Sequence, residues 1–306
     1  MKPFTLKLRQ EPPQRVDLSI LTPDRLAGLS PAQIEKIDIG VTKFSTKVGD
    51  IFEILPGDLK NLRYEGGSSR FDLIGAKLLP DFSIHVDGDV GAQLGRLAHG
   101  GRITVAGSAG AYAASGNLGA EIEIAGDAGD YLAAPLAGEL SGMAGGRVII
   151  HGSVGSRAGD RLRRGVIVIE GSSGEDLGSR LIAGTIVALG ETLGRVGYLN
   201  KRGSLILAQC KDFGPTYLDC GAHQLTYIGL LSRSLASVSS SAARLLSGKL
   251  RRYGGDTSVY GKGEILTHWK GNYSKSDYST LRATVWQRSS DELHPTHPHC
   301  LFSHPT

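Results

Sequence analysis

The chain has 306 residues, 43 of them glycine, and its 34 Lys and Arg against 30 Asp and Glu give a net charge of +4. Glycine stands at about twice its usual share of roughly 7%, yet 40% of the residues are apolar, enough to bury a core, which excludes wholesale disorder. No apolar run reaches the roughly 18 residues of a membrane span, and the three cysteines lack C-x-x-C spacing, which argues against a disulfide framework or a zinc site.

The first 61 residues differ in composition from the rest of the chain and predict a small α/β cap. The segment 5–9 alternates as a strand does. Thr22 and Ser30 each precede a proline, as helix N-caps do. The segment 47–55 indicates another strand or turn. The N-terminus has no apolar stretch typical of a secretory signal, so we expect a cytoplasmic protein.

Residues 62–210 contain a repeat of the form apolar-x-apolar-x-G-[D/S]-x-G. Its leading turn glycines are spaced by 19, 19, 26, 19 and 19 residues, and the long step holds an insertion at 135–142. A period near 19 with β-branched triplets and glycine corners is typical of a solenoid. We predict a mainly β fold, a right-handed parallel β-helix of about seven coils, the hand following the usual crossover rule.

The triplets also predict which side chains point inward. Two columns are apolar in every coil, whereas the outward column between them starts polar and becomes aliphatic in the last four coils. Such a stripe should not remain in water, so we predict an interface there, formed with the chain's own segment 223–238 or with a partner subunit. The interface residues are Ile149, Val168, Val187 and Ile206.

The glycine rhythm stops after residue 210. Residues 211–270 should pack on the solenoid, with an amphipathic helix at 223–238 and a loop followed by a strand at 251–269. Residues 271–306 predict a mobile tail. Clustered His and Cys can bind metal, but the prolines between them favour an extended tail; the residues are His294, His297, His299, Cys300 and His304.

The polar residues form no recognised catalytic set. The chain has no G-x-S-x-G elbow, no P-loop and no H-E-x-x-H motif. Asp89 and Asp127, in the turns, are expected to hydrogen-bond the local backbone. Arg102, Glu121 and Arg147 fall in one column, where opposite charges on neighbouring strands attract modestly.

A group of arginines stands apart in the later coils. Arg161 and Arg180 are 19 residues apart and should stack in one column. Because guanidinium groups bind carboxylates bidentately, these residues could form an anion-binding stripe. The alternative is a solvated face or a contact with acidic residues of another protein chain. The candidate residues are Arg161, Arg164, Arg180 and Arg202. Nucleic acid is not expected as a partner, because few aromatic residues accompany the basic ones.

Several stretches resemble one known family. They are similar to the glycine-rich β-helical domain of the glutamate synthase large subunit. They are more similar still to the C subunit of formylmethanofuran dehydrogenase and of the related bacterial formyltransferase/hydrolase complex. The resemblance covers roughly residues 1–270 and rests on the G-D-x-G turns at 88–91 and 126–129, AGDRLRRGVIVIEG (158–171), GSRLIAGTIVALG (178–190), the opening segment 6–30 and RRYGGDTSVYGKGEIL (251–266).

The resemblance implies a structural subunit without its own active site. Its partners would be an amidohydrolase-like subunit, a formyltransferase subunit and a further structural subunit. The complex would move a formyl group from formyl-tetrahydromethanopterin to methanofuran or an analogue and hydrolyse it to formate. A methanofuran-type cofactor is thus implied for the complex, and none for this chain alone.

Three alternatives remain open at the level of the sequence. The first is the C subunit of a molybdenum or tungsten formylmethanofuran dehydrogenase. The second is a module whose arginines hold the polyglutamate tail of a methanofuran-type cofactor. The third, a polysaccharide-active β-helix, needs paired carboxylates on one face, and the outward positions of the first three coils offer only Glu123.

Overall fold

The computed structural model describes residues 2–43, 45–210 and 213–268. One compact unit spans Met1–His268. The tail proposed for 271–306, with its histidines and Cys300, lies outside the described residues.

The described part is mainly β, with one sheet of 13 strands, a two-stranded sheet and five short helices. The strands are β1 Pro3–Leu8, β2 Val16–Asp17, β3 Phe52–Leu55, β4 Asp58–Glu65, β5 Phe71–Asp72, β6 Ser83–Val86, β7 Arg102–Val105, β8 Glu121–Ile124, β9 Arg147–Ile150, β10 Val166–Ile169, β11 Thr185–Thr192, β12 Ser204–Cys210, β13 Leu218–His223, β14 Leu250–Gly255 and β15 Gly263–His268. The helices are α1 Pro23–Leu26, α2 Pro31–Ile34, α3 Val48–Ile51, α4 Thr226–Leu235 and α5 Ser240–Ser247.

The repeat strands stack in parallel, in the register predicted from the sequence. Ile103 pairs with Ile122, and that residue in turn with Val148, so the predicted inward column is confirmed. The 7-residue insertion leaves the register between β8 and β9 intact. The stack extends beyond the seven predicted strands, because β4 pairs with β6 and β15 pairs with β12, also in parallel.

A second parallel ladder runs beside the first. Single bridges join consecutive repeats just after the turn glycines. Asp89 and Asp127 support this ladder, and the expectation that they bond the local turn is wrong. Each carboxylate accepts a backbone N–H from the next repeat, that of Ser108 at 2.8 Å and that of Ser153 at 2.7 Å. The turn carboxylates therefore join adjacent repeats rather than closing their own turns.

The sheet changes direction at both ends. At the N-terminal end β1 pairs in parallel with β4 but antiparallel with β3. At the C-terminal end β15 pairs antiparallel with β14, which pairs antiparallel with β13. The boundary predicted at 61/62 falls inside β4, so sheet pairing is continuous from the cap into the repeats.

Short elements at the N-terminal end follow the predicted caps. Thr22 is the N-cap of α1, and Ser30 is the N-cap of α2, where the Gln33 side chain accepts the Ser30 N–H at 2.8 Å. The segment 47–55 contains both a helical turn, α3, and strand β3.

The helix predicted at 223–238 is shorter than expected and is followed by a second one. Leu235 is the last residue of α4. Ser239 then starts α5, because its hydroxyl accepts the N–H of Ala242 at 3.2 Å. We refer to α4 and α5 as the cover helices.

Candidate functional site

The outer aliphatic column, defined as Ile149, Val168, Val187 and Ile206, is buried beneath the cover helices. These four side chains are 0–3% exposed and form one apolar cluster with the helices, to which Ile228, Leu235, Ala242 and Leu246 contribute. The interface that they form is therefore made with this chain's own segment. Full burial of one such side chain contributes about 1.5–3 kcal/mol, so the column fastens the helices firmly to the sheet.

His151 adds a polar fastening at the edge of this cluster. Its Nδ1 lies 2.8 Å from Glu170 Oε2, and its Nε2 lies 3.1 Å from Glu123 Oε1. The hydrogen bond to Glu170, aided by the one to Glu123, raises the pKa of His151 against the opposing effect of partial burial. The second Glu170 oxygen accepts the hydroxyl of Ser239 at 2.5 Å. Sheet and α5 thus share one hydrogen-bond chain.

The predicted column of Arg102, Glu121 and Arg147 is confirmed. Glu121 accepts from Arg102 at 2.7 Å and from Arg147 at 2.6 Å, one bond on each carboxylate oxygen. Arg147 also points toward the Ser234 carbonyl, at 3.5 Å. The column links three repeats and touches the end of α4, which is a structural arrangement.

Arg180 and Arg161 occupy equivalent positions in adjacent repeats, as predicted, but their side chains already have partners. Arg180 forms a bidentate pair with Asp160, its Nε lying 2.8 Å from Oδ1. The Asp160 side chain is 3% exposed and also accepts the Ser179 hydroxyl. Arg161 donates to the Glu139 carbonyl of the insertion at 3.1 Å. These two arginines therefore fasten neighbouring segments of the chain.

Arg164 and Arg202 lie elsewhere on the same return path and are exposed. Backbone bonds from Arg163 to Met143 and from Lys201 to Leu181 place the two arginines at equivalent positions two repeats apart. Two steps of about 4.8 Å separate them. The four candidate arginines thus divide into an engaged pair and an exposed pair.

The return segments of the last three repeats concentrate positive charge. Residues 156–165, 175–184 and 194–203 contain eight Arg and Lys against three Asp and Glu, whereas the whole chain has 34 against 30. These three segments exceed the net charge of the entire chain, so the rest of the chain is slightly acidic.

A row of aromatic and arginine side chains runs along the same side. The rings of Tyr112 and Tyr131 stack with centroids 4.7 Å apart and planes within 4°. The Arg157 guanidinium lies 5.9 Å from the Tyr131 centroid. Asp176 pairs with Arg157 at 3.5 Å and with Arg195 at 3.1 Å. We call this set, with Tyr198 against Arg195 at 5.4 Å, the aromatic–arginine ladder.

The ladder residues sit in an unusual backbone conformation. Tyr112, Tyr131, Arg157 and Asp176 have φ between 59° and 62°, a region that favours glycine. Their 19- or 26-residue spacing is visible in the sequence, but sequence reasoning did not recognise the aromatic spacing as a stack. It also missed the engagement of Arg180 by Asp160, since nothing local indicates which side chains of adjacent repeats meet.

A cavity of about 540 Å³ lies between the cover helices and the ends of β13 and β14. Ile228, Leu246 and Leu250 supply apolar walls, and His223 and Arg233 lie among its polar lining residues. Within the described ranges no group of three His, Cys, Asp or Glu side chains is arranged to hold a metal ion. None of the described helices has the length and apolar character needed to cross a bilayer.

Comparison with known proteins gives a consistent result. No protein-family model matches the chain. The chain is 44% identical over 262 residues to the C subunit of the formyltransferase/hydrolase complex Fhc of Methylorubrum extorquens, covering 86% of this chain and 98% of that relative. It also matches, with a TM-score of 0.82 and 43% identity, a chain in the crystal structure of the FhcABCD complex from Methylorubrum extorquens with methylofuran. That match covers 87% of this chain and 99% of the other.

Proposed function

The chain belongs to the family of the C subunit of the formyltransferase/hydrolase complex, and from this premise we propose that it is the structural, non-catalytic subunit of such a complex. The observation that carries the proposal is the match over nearly the whole length of the relative, without a further domain in that relative left unmatched.

The proposed complex moves one-carbon units in the cytoplasm. It transfers a formyl group from formyl-tetrahydromethanopterin to methanofuran or an analogue and hydrolyses the product to formate. The proposed partners are a formyltransferase subunit, an amidohydrolase-like subunit and a further structural subunit. The relative's structure is described as a complex with methylofuran, which supports a methanofuran-type cofactor in the assembly rather than on this chain alone.

The polar clusters of the repeats support a structural role. Asp89, Asp127, Glu121 and Asp160 each use their oxygens to join neighbouring repeats. A carboxylate engaged in this way is poorly available for acid–base work on a substrate. The chemistry is therefore assigned to the partner subunits.

The test is assembly followed by activity. The four subunits are co-expressed with an affinity tag on this chain, and formate release from formyl-tetrahydromethanopterin is measured. We expect the tagged chain to retain the other three subunits, and activity to appear only when the partner subunits are present. A chain that stays alone as a stable monomer would overturn the proposal. Activity in the isolated chain would overturn its non-catalytic part.

We extend the proposal to the architecture of the chain. The stacked repeats are proposed to wind as a right-handed β-helix over 62–210, with a cap at 1–61 and a packed region at 211–270. Parallel register in two ladders supports a coil, and the right-handed sense follows the strong bias of parallel crossovers.

The anion stripe is proposed in a sharper form. Arg164 and Arg202 are exposed and supply the charge that meets the polyglutamate tail of a methanofuran-type cofactor, while Arg161 and Arg180 mainly hold the chain around them. Calorimetry of the assembled complex with oligoglutamate should show salt-sensitive binding. The heat should fall in the Arg164→Ala/Arg202→Ala variant and persist in Lys77→Ala; equal heats in both variants would contradict the stripe.

The redox version of the complex, a molybdenum or tungsten formylmethanofuran dehydrogenase, is the second candidate. The resemblance that the C subunits of both complexes share with this chain suggests it, whereas the 44% identity to the relative from the formyltransferase/hydrolase complex favours the first. Metal analysis of the purified complex separates them, because stoichiometric molybdenum or tungsten is expected only in the redox version.

A further inference from the structure

We propose that the aromatic–arginine ladder is the surface on which this chain docks an acidic face of another subunit of the complex; this inference rests on the proposed function. The ladder consists of Tyr112, Tyr131, Arg157, Arg195 and Tyr198, arranged around Asp176.

The chemistry of the ladder matches that of binding hot spots. Tyr and Arg are enriched at the energetic centres of protein interfaces, because they offer a large contact area together with hydrogen-bonding groups. Here the side chain of Arg195 is 69% exposed, that of Arg157 is 44% exposed, and Tyr198 is 47% exposed. These residues present polar and aromatic surface without being buried by the chain itself.

The ladder is also preorganised. The stacked rings of Tyr112 and Tyr131 restrain each other, and Asp176, with its side chain only 9% exposed, holds both guanidinium groups. Side chains fixed before association lose less conformational entropy when a partner binds. From Tyr112 to Arg195 the ladder spans four steps of about 4.8 Å, or about 19 Å, a length that suits one protein interface.

Charge decides the kind of partner. Two arginines share a single carboxylate in the ladder, and the return segments beside it contain eight basic residues against three acidic ones. An acidic partner surface is attracted to this side of the chain and repelled by the slightly acidic remainder. Complementary charge of this kind steers association and fixes the register of the two proteins.

The backbone supplies a sharp way to test the ladder. Tyr112, Tyr131 and Arg157 have φ of 59°, 62° and 60°, a conformation that glycine adopts without steric strain. The triple variant Tyr112→Gly/Tyr131→Gly/Arg157→Gly therefore removes the ladder side chains while it relieves the backbone. We expect a melting temperature close to that of the wild type. The triple asparagine variant, Tyr112→Asn/Tyr131→Asn/Arg157→Asn, is the second probe, because asparagine also tolerates this region.

The matched control is Lys77→Gly. Lys77 has the same backbone conformation, with φ of 61°, and is exposed, but it lies in an earlier repeat away from the ladder. It loses a charge and gains the same backbone freedom. We expect Lys77→Gly to assemble as the wild type does.

The measurement is the affinity of each full-length chain for the complex of the remaining subunits, at low and moderate salt. We expect the glycine and asparagine variants to bind at least tenfold more weakly than the wild type and Lys77→Gly, with a shallower salt dependence. If the wild type associates and both ladder variants associate equally well, the docking surface is wrong while the proposed function stands. If the wild-type chain does not associate at all, the proposed function fails, and this inference fails with it.

Discussion

At the scale of single residues, His151 connects parts of the chain that are far apart in sequence. One ring nitrogen lies against Glu170 and the other against Glu123, and Glu170 in turn accepts the hydroxyl of Ser239, the N-cap of α5. The protonated imidazole can donate to both carboxylates at once. When the ring is neutral it keeps one N–H, so one carboxylate loses its donor and the two acids face each other without a positive charge between them.

This arrangement predicts a pH dependence of stability. Because the pKa of His151 is raised by Glu170 and Glu123, its contribution is fully present below the unfolded-state pKa of about 6.5 and is lost as the pH rises through the raised folded-state pKa. We expect the difference in unfolding free energy between wild type and His151→Gln to be larger at pH 6 than at pH 9, as measured by urea denaturation.

The control for this prediction is His223→Gln. His223 is exposed and its Nε2 lies 2.7 Å from a backbone carbonyl, that of Cys220. This variant should follow the wild-type pH profile. A His151→Gln difference that is the same at both pH values would contradict the assignment.

At the scale of structural elements, the turn glycines set how closely adjacent repeats approach. A Cβ on Gly171 would lie 2.5 Å from the carbonyl carbon and oxygen of Gly152. No side-chain movement can relieve this contact, since both atoms belong to the backbone of the neighbouring repeat. The glycine excess of the composition is therefore partly a requirement of spacing between repeats.

The Gly171→Ala variant should be strongly destabilised, by about 2–3 kcal/mol, because overpacking against backbone forces the repeats apart. Gly229→Ala is the matched substitution, since a Cβ there meets nothing within 4 Å and the residue lies in α4. That change should stabilise the helix by about 0.5–1 kcal/mol. Thermal melts of both variants decide the matter, and a stable Gly171→Ala protein would refute the spacing requirement.

Elements also show where the sequence was informative. The strand register, including the step across the insertion, followed from apolar alternation combined with the 19-residue period, both of which are visible in the chain. Helix α5 was missed because its eight residues give too short a pattern beside α4. The Arg180–Asp160 pair depends on which side chains of adjacent repeats meet, and no local pattern fixes that. The left-handed conformation at Tyr131 and Arg157 was hidden, because glycine rather than tyrosine or arginine is its usual marker.

At the scale of the whole described unit, the large sheet has two apolar sides of different extent. One large cluster runs from Phe4 to Ile265 along the interior, and a smaller cluster joins the outer aliphatic column to the cover helices. The repeat strands are hydrogen-bonded to neighbours on both sides, whereas the helices depend mainly on side-chain contacts with the smaller cluster. Local opening is easiest where fewer contacts must be broken.

We therefore expect native-state hydrogen exchange to open the cover helices before the repeats. Backbone amides of α4 and α5 should exchange with a lower opening free energy than those of β8 to β11. The Leu235→Ala variant, which trims a fully buried side chain of α4, should widen the gap further by about 2–4 kcal/mol for the helices. Equal protection of helices and repeats in the wild type would argue instead for a single cooperative unit.

The reversal of strand direction at the two ends of the sheet has a consequence for self-association. A stack of parallel strands is the geometry of a growing fibril, since each exposed strand is a template for the next copy. Here the edges are β3 and β13, both antiparallel to their neighbours, and β13 is further interrupted by a bulge between Asp219 and Ala222. Bulges and short edge strands discourage edge-to-edge pairing. The two ends thus terminate a polymer that the repeat, by itself, would propagate.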